Sequence, residues 1–247
     1  MDRIAIISDI HGNIPALEAV LEDIRQRGIE RIYCLGDIAG KGPSAVEAVD
    51  LVRENCQVVI KGNWDHFIVK GILGKYSEMM KWNNRLLGKE RVAYLDELPL
   101  YAEFYMSGRL VRLCHTSPND LFYRVYPTST PKARLKLFLP TKTLKAESDV
   151  VGYGDIHKAY ADYFAGKLLF NTGSVGNPLD ITQASYAVME GVYDSKAIAP
   201  FSVMLVRVPY DIGLAVRHAM EIDMPGRQEY IEELRTAIYR DAKGDPW

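Results

Sequence analysis

Asp9 and His11 stand two residues apart just after an apolar run, and Asp155 and His157 follow another. Asp37, Asn63 and His115 each follow a further short apolar run. Carboxylate, imidazole and amide oxygen form a hard-to-borderline ligand set, suited to Mn²⁺, Fe or Zn²⁺ and unlike a thiolate site. Seven candidate ligands are too many for one tetrahedral ion and suit two ions sharing a bridging carboxylate. Such a pair, about 3.5–4 Å apart, acidifies a bound water and stabilises charge on a transferring phosphoryl group. The chemistry implied is hydrolysis of a P–O bond. Taken singly, Asp9 reads equally as a helix N-cap and Asp37 as an ordinary turn residue, and His115 as a satisfied core histidine. The weight lies in their joint placement, with four of the five histidines (His11, His66, His115 and His157) in these loops.

The elements that must position them follow from periodicity. Residues 3–8, 31–35 and 57–60 are short apolar, β-branched-rich runs. Between the first two, Ile14, Leu17, Val20, Leu21 and Ile24 recur at helical spacing until Gly28; after the second, Pro43 opens a helix with Val46, Val49 and Val52 on one face. Alternation of this kind predicts a parallel sheet covered on both faces, whose strand ends converge on one crevice. In extended backbone, Asp9 and His11 would face the same side. Residues 65–98 read as helical, 101–106 and 109–114 as a hairpin around Ser107-Gly108, and 116–146 as a surface loop with a short helix. Strands are predicted at 149–152, 159–163, 167–171, 184–193 and 201–208, mostly antiparallel, and two C-terminal helices over 211–241, interrupted at Pro225-Gly226. The expectation is one domain over 1–247 with two sheets face to face, helices outside, and cap-like insertions near 65–98 and 116–146. Asn171 to Gly176 is glycine-bearing and could direct backbone N–H groups at an anion.

Composition narrows the class. With 48% hydrophobic and 25% charged residues, a sizeable core is expected, and a net charge of −2 gives no general attraction for nucleic acid or membrane. Cys34, Cys56 and Cys114 are too few and too scattered for a disulfide framework, which fits a reducing compartment. No apolar run approaches a membrane span or a signal segment, so a cytoplasmic protein is expected. No G-x-G-x-x-G follows the first strand, which disfavours a dinucleotide-dependent oxidoreductase. Lys41, Arg85, Arg91 and Arg124 are possible phosphate binders, with solvated surface the default for each. Tyr76, Trp82, Phe122, Tyr123 and Tyr126 could stack on a nucleobase or simply pack the insertions.

SDIHGN at 8–13, GDIAGKGP at 36–43, GNWD at 62–65, His115, GDIH at 154–157 and NTGSVGNP at 171–178 together resemble the calcineurin-like metallophosphoesterases. The similarity is greatest to a small bacterial phosphodiesterase branch related to diadenosine polyphosphate hydrolases. The resemblance implies an α/β/β/α sandwich of four layers with the site at its upper edge. It implies that Asp9, His11 and His157 hold one ion, that Asn63 and His115 hold the other, and that Asp37 bridges them. A metal-bridging hydroxide would attack phosphorus, with Asn13, Gly173 and Ser174 positioning the phosphate. Two departures stand out. Asp155 occupies a place where the family usually has a histidine ligand, and a carboxylate can still ligate there. Trp64 occupies a place where the family often has a proton-donating histidine, which favours substrates with easily departing groups such as nucleotides, polyphosphates and activated diesters. His66 is the alternative acid or substrate contact. The substrate class expected is therefore a small phosphorylated molecule, most naturally a nucleotide, with ATP and diadenosine polyphosphates as candidates. A phosphomonoesterase or protein phosphatase and a non-catalytic scaffold of the same fold are the rival readings, and the oligomeric state is open.

Overall fold

The computed structural model describes residues 1–72 and 74–241. Leu73, within the stretch predicted as helical, and residues 242–247 lie outside the described residues. The first sheet has the order β10-β9-β1-β2-β3, from Ser202–Val208, Ala184–Gly191, Asp2–Ile7, Arg31–Cys34 and Val58–Val59. The second has the order β4-β5-β6-β8-β7, from Tyr101–Met106, Arg109–Cys114, Val150–Tyr153, Lys167–Thr172 and Ala159–Phe164.

Period-two alternation sorts the side chains into layers. Ile4 and Ile6 of β1, Val111 and Leu113 of β5, and Leu168 and Phe170 of β8 meet between the sheets. Ala5 and Ile7 point the other way, under the helices α1 (Ile14–Gln26) and α2 (Ala45–Asn55), where Leu17, Val20, Val49 and Val52 are buried. The region predicted as helical over 65–98 forms α3 (Asn63–Lys70) and α4 (Ser77–Glu97), whose Ile68, Leu87 and Leu95 join that same core. On the outer face of the second sheet, Val151 and Leu169 pack against Val125, Leu137 and Phe138 of the 116–146 segment, which carries the short helix α5 (Pro131–Leu135) and a 3-10 turn over Lys136–Phe138. This irregular layer is pinned by fully buried Arg112. Its guanidinium is paired with Glu103 and donates to the carbonyls of Leu137, Leu139 and Ala146. The C-terminal helices are α6 (Ile212–Met220) and α7 (Arg227–Thr236). None of the helices among the described residues is long and apolar enough to cross a membrane.

The later strands pair mostly antiparallel, as expected, with a parallel core in the second sheet. β4–β5, β7–β8, β9–β10 and β1–β9 pair antiparallel, whereas β5–β6 and β6–β8 pair parallel. The long 116–146 crossover returns the chain alongside β5 in the same direction. β7 then leaves for the edge, and its hairpin brings β8 back against β6. Consequently β1 and β6, the central strand of each sheet, both deliver their carboxyl ends to one place.

Candidate active site

At the end of β1 the chain does not stay extended, contrary to the sequence expectation. Asp9 and His11 adopt left-handed backbone, with φ of 56° and 47°; Asp37 (52°), Asp155 (67°) and His157 (58°) do the same. Non-glycine residues enter this region at a cost of roughly 1–2 kcal/mol each. Hydrogen bonds between neighbouring loops hold them there. Asp9 N–H donates to the Gly36 carbonyl (3.0 Å), His11 N–H to that of Asp37 (2.9 Å) and Gly154 N–H to that of His115 (2.9 Å). Two glycines allow the close approach. A Cβ on Gly62 would lie 2.1 Å from Asp37 Oδ1, and one on Gly176 would lie 1.7 Å from the Ile10 carbonyl oxygen.

The seven expected ligands come together, all buried. Asp9, His11 and His157 form one group able to hold an ion, and Asp9, Asp37 and His115 form a second. In the first, His11 Nε2 and His157 Nε2 are 3.1 Å apart, and Asp9 Oδ1 lies 3.2 Å from His157 Nε2 and 3.9 Å from His11 Nε2. Ligands about 2.0–2.1 Å from a common ion stand roughly 3–3.5 Å from one another. In the second, His115 Nε2 is 3.3 Å from Asp37 Oδ2, which also lies 3.7 Å from His11 Nε2. Asp9 is common to both groups, and Asp37 of the second reaches toward the first.

The donor chemistry fits metal ions. His157 donates Nδ1–H to the Asn177 carbonyl (2.5 Å) and His115 donates Nδ1–H to that of Leu35 (2.8 Å), so each turns its Nε2 inward. Asn63 donates its amide N–H to Asp155 Oδ1 (2.6 Å), which leaves its own oxygen without a partner. Asp9 Oδ1 and His115 Nε2 are likewise buried without hydrogen bonds. Buried acceptors facing one another at these distances are costly unless a cation joins them. The buried charges also act strongly on one another. Burial alone would raise Asp9, but His157, His115 and His11 hold its carboxyl well below the ordinary range. Burial would lower His115, but Asp37, with Asp9 and Asp155, pushes its imidazole up to about 10. Burial raises Asp37, with His115 opposing, and burial lowers His11, helped by His157 and Lys41.

Asp155 lies beside this centre with both oxygens engaged. Arg124 clamps it, Nε to Oδ2 at 2.5 Å and Nη2 to Oδ1 at 2.6 Å, and Oδ1 also accepts from Asn63. It stands 3.9 Å from His115 Nε2. The Trp64 ring packs edge-on to His11 with centroids 5.3 Å apart. A cleft opens from this edge, lined by Lys41, Trp64, Arg124, Tyr126, Asp155, His157 and Tyr239. A wider groove around Met1, Gly28 and Gln57 contains none of the candidate ligands.

The expected phosphate contacts are arranged differently. Asn13 caps α1, its Oδ1 accepting from Ala16 N–H, and its amide donates to the Gly176 carbonyl (2.8 Å). Ser174 donates to the Asp9 carbonyl and accepts from Asn177 N–H. The N–H groups of Gly173, Val175 and Gly176 go to Asn171 Oδ1, Ser8 and Asp9. The 171–176 segment is thus spliced onto the end of β1 rather than presented to an anion. His66 packs edge-on against Phe67 and Phe122, and it does not line the cleft. Asp65 belongs to the site although it is not among the residues expected from the sequence. Fully buried, it accepts from the N–H groups of Asp37 (2.8 Å), Ile38 (3.1 Å) and Gly62 (2.9 Å), tying the loops after β2 and β3 together. The signal was available, since an acidic residue three positions after a helix's first cap is a known device.

Comparison with known proteins agrees with the geometry. The profile of the calcineurin-like phosphoesterase superfamily domain matches residues 2–192. The Methanocaldococcus jannaschii protein MJ0912 is 33% identical, covering 90% of this chain and 93% of its own. Phosphodiesterase YfcE of Escherichia coli K12 is 26% identical, covering 77% of this chain and 88% of its own. The crystal structure of a metallophosphoesterase from Sphaerobacter thermophilus superposes with a TM-score of 0.76 at 25% identity, covering 96% of this chain and 99% of that one. With ligand groups, strand order and profile in accord, the chain belongs to the calcineurin-like phosphoesterase superfamily.

Proposed function

We propose that this chain is a metal-dependent phosphodiesterase that also cleaves nucleotide phosphoanhydrides, with ATP and diadenosine polyphosphates as candidate substrates. The observation that carries the reading is the pair of overlapping ligand groups, sharing Asp9, with unpartnered acceptor atoms turned inward. Asp9, His11 and His157 would hold one ion, Asn63 and His115 the other, with Asp37 between them. The nitrogen and oxygen donor set suits Mn²⁺ or Fe, with Zn²⁺ also accommodated. When bound, such a pair supplies an acidified water and neutralises charge on the phosphoryl group.

The chain's own residues do the rest. Leu35 and Asn177 carbonyls fix the tautomers of His115 and His157. Asp155 holds the Asn63 amide so that its oxygen faces the centre, and it orients Arg124 at the cleft, where a guanidinium can receive a phosphate oxygen. Trp64 offers no ionisable proton beside His11, which supports substrates whose leaving group departs without strong acid assistance. The kinship with phosphodiesterase YfcE supports the same class.

The test is a panel assayed with added Mn²⁺: bis(p-nitrophenyl) phosphate, p-nitrophenyl phosphate, ATP and a dinucleoside polyphosphate. Diester turnover should exceed monoester turnover, and His157→Ala or Asp37→Asn should reduce it by at least about 10²-fold while leaving the circular dichroism spectrum intact. Full activity in chelator-stripped protein would overturn metal dependence, and a monoester preference would overturn the diester assignment.

A further inference from the structure

A buried charge cluster next to the centre has no part in the reading above. Lys41, in the loop between Asp37 and α2, is only 3% exposed, and lysine is almost never so buried unless paired. Its Nζ donates to Asn177 Oδ1 at 2.6 Å and lies 3.7 Å from Glu233 Oε2. Glu233 comes from α7 and is 1% exposed. It accepts two guanidinium N–H bonds from Arg240, both at 2.8 Å, the Arg240 backbone N–H at 3.0 Å, and the Asn177 amide at 3.1 Å. Glu233 is thus a hub joining the C-terminal helices to two loops of the site.

The ammonium is aimed usefully. An ammonium has three N–H donors, and Asn177 is the only hydrogen-bond acceptor it meets among the described residues. Nζ lies 5.7 Å from the Trp64 ring centroid and 5.2 Å from that of Tyr239, on the wall of the same cleft as His157 and Asp155. Burial lowers the Lys41 ammonium from its ordinary range, and Glu233, Asp9 and Asp37 oppose that by favouring its charged form. A cation therefore stands beside Trp64, the side chain that contributes no charge and no ionisable proton.

We propose that Lys41 is a catalytic residue of the phosphodiester reaction, its ammonium stabilising negative charge on the departing oxygen, and that Glu233 is the positioning residue that holds it there. The assignment rests on the phosphodiesterase reading. In the step concerned, a water oxygen bonds to phosphorus as the P–O bond to the leaving group breaks, its electron pair going to the departing oxygen. The proton lost by water passes to solvent, and the departing oxygen takes its proton from solvent. Lys41 stays protonated throughout and acts by charge and by an N–H hydrogen bond. Because α7 lies beyond the matched residues 2–192, the C-terminal helices would then be part of the catalytic machinery rather than an appendage.

The experiment is a leaving-group series of methyl aryl phosphate diesters, from dinitrophenol to unsubstituted phenol, run with Mn²⁺ on full-length protein. Lys41→Gln should lose about 10²–10³-fold on the phenyl ester and about tenfold or less on the dinitrophenyl ester. Glu233→Gln should show the same selectivity at smaller amplitude, with metal content per chain unchanged in both. If Lys41→Gln does not fold, Lys41→Met, which fills the same volume without a polar group, is read on the same series. An equal loss across all leaving groups, no loss, or a fall in metal content overturns the Lys41 assignment. Wild-type protein that hydrolyses no diester overturns the underlying function, and that result is visible before any variant is made.

Discussion

Replacing Asp65 with alanine should unsettle the site without touching a candidate ligand. The carboxylate takes three backbone N–H groups, from Asp37, Ile38 and Gly62. Each buried donor left unpaired costs about 1–3 kcal/mol, so the gross loss is about 3–9 kcal/mol. Two effects reduce it. Water can enter the space vacated, and repulsion from Asp37 is relieved; together with burial, which is the larger cause, that repulsion pushes the Asp65 carboxyl up to about 7. A net destabilisation of about 3 kcal/mol is expected, which a domain of ordinary stability survives. The Asp37 loop also loses its anchor, and a displacement near 1 Å in a reacting group costs about 10²-fold in rate. Urea unfolding of chelator-treated wild type and Asp65→Ala, compared at equal slope, reads the first effect. Hydrolysis of bis(p-nitrophenyl) phosphate with added Mn²⁺ reads the second. A variant within about 1 kcal/mol of wild type and with unchanged kcat would refute the argument that these three bonds hold the loop.

Two further outcomes are expected. Gly62→Ala has acceptable backbone (φ −86°), so its effect should be steric alone, from a Cβ 2.1 Å from Asp37 Oδ1. It should destabilise by about 1–3 kcal/mol and lower bound metal, and full metal content by elemental analysis would contradict this. Glu233 titrates at about 2, lowered from 4.5: burial would raise it, but Lys41 and Arg240 outweigh that. A depressed carboxyl contributes stability that is present above the unfolded value and lost as pH falls toward the folded one. Up to about 3 kcal/mol should therefore disappear between pH 4.5 and 2 in wild type and not in Glu233→Gln. Parallel pH–stability curves for the two would exclude it.

The ligands were legible in the sequence because strand ends in an α/β sheet converge, and Asp9, Asp37, His115 and His157 each lie within a few residues of the end of an apolar run. The layers were legible because the strand runs, such as Ile4–Ile7 of β1 and Leu168–Phe170 of β8, are apolar throughout, as a sheet covered on both faces requires. What could not be read was anything decided by which loop lies beside which. Asp9 and His11 leave extended backbone because Gly36 and Asp37 supply carbonyls to their N–H groups, and no local pattern encodes that pairing. Asn13, Gly173 and Ser174 look free in the sequence, yet the β1 end, Gly176 and Asn171 consume their hydrogen bonds. The direction of β8 depended on β7 moving to the sheet edge. Lys41 and Arg124 read as surface cations because their carboxylate partners, Glu233 and Asp155, are 192 and 31 positions away (233 − 41; 155 − 124).

Five candidate ligands hold backbone conformations that glycine would adopt without penalty. Any search for hardier versions of this chain, whether by random mutagenesis or by scoring folded-state energy, will meet those positions early. Relaxing Asp9, His11 or His157 to glycine relieves torsion but empties a buried volume, and at Asp9 and His157 it strips the Asp155 N–H and the Asn177 carbonyl of their partners. The strain is therefore locked in by its surroundings, and an engineering campaign must hold these turns fixed before it seeks robustness elsewhere.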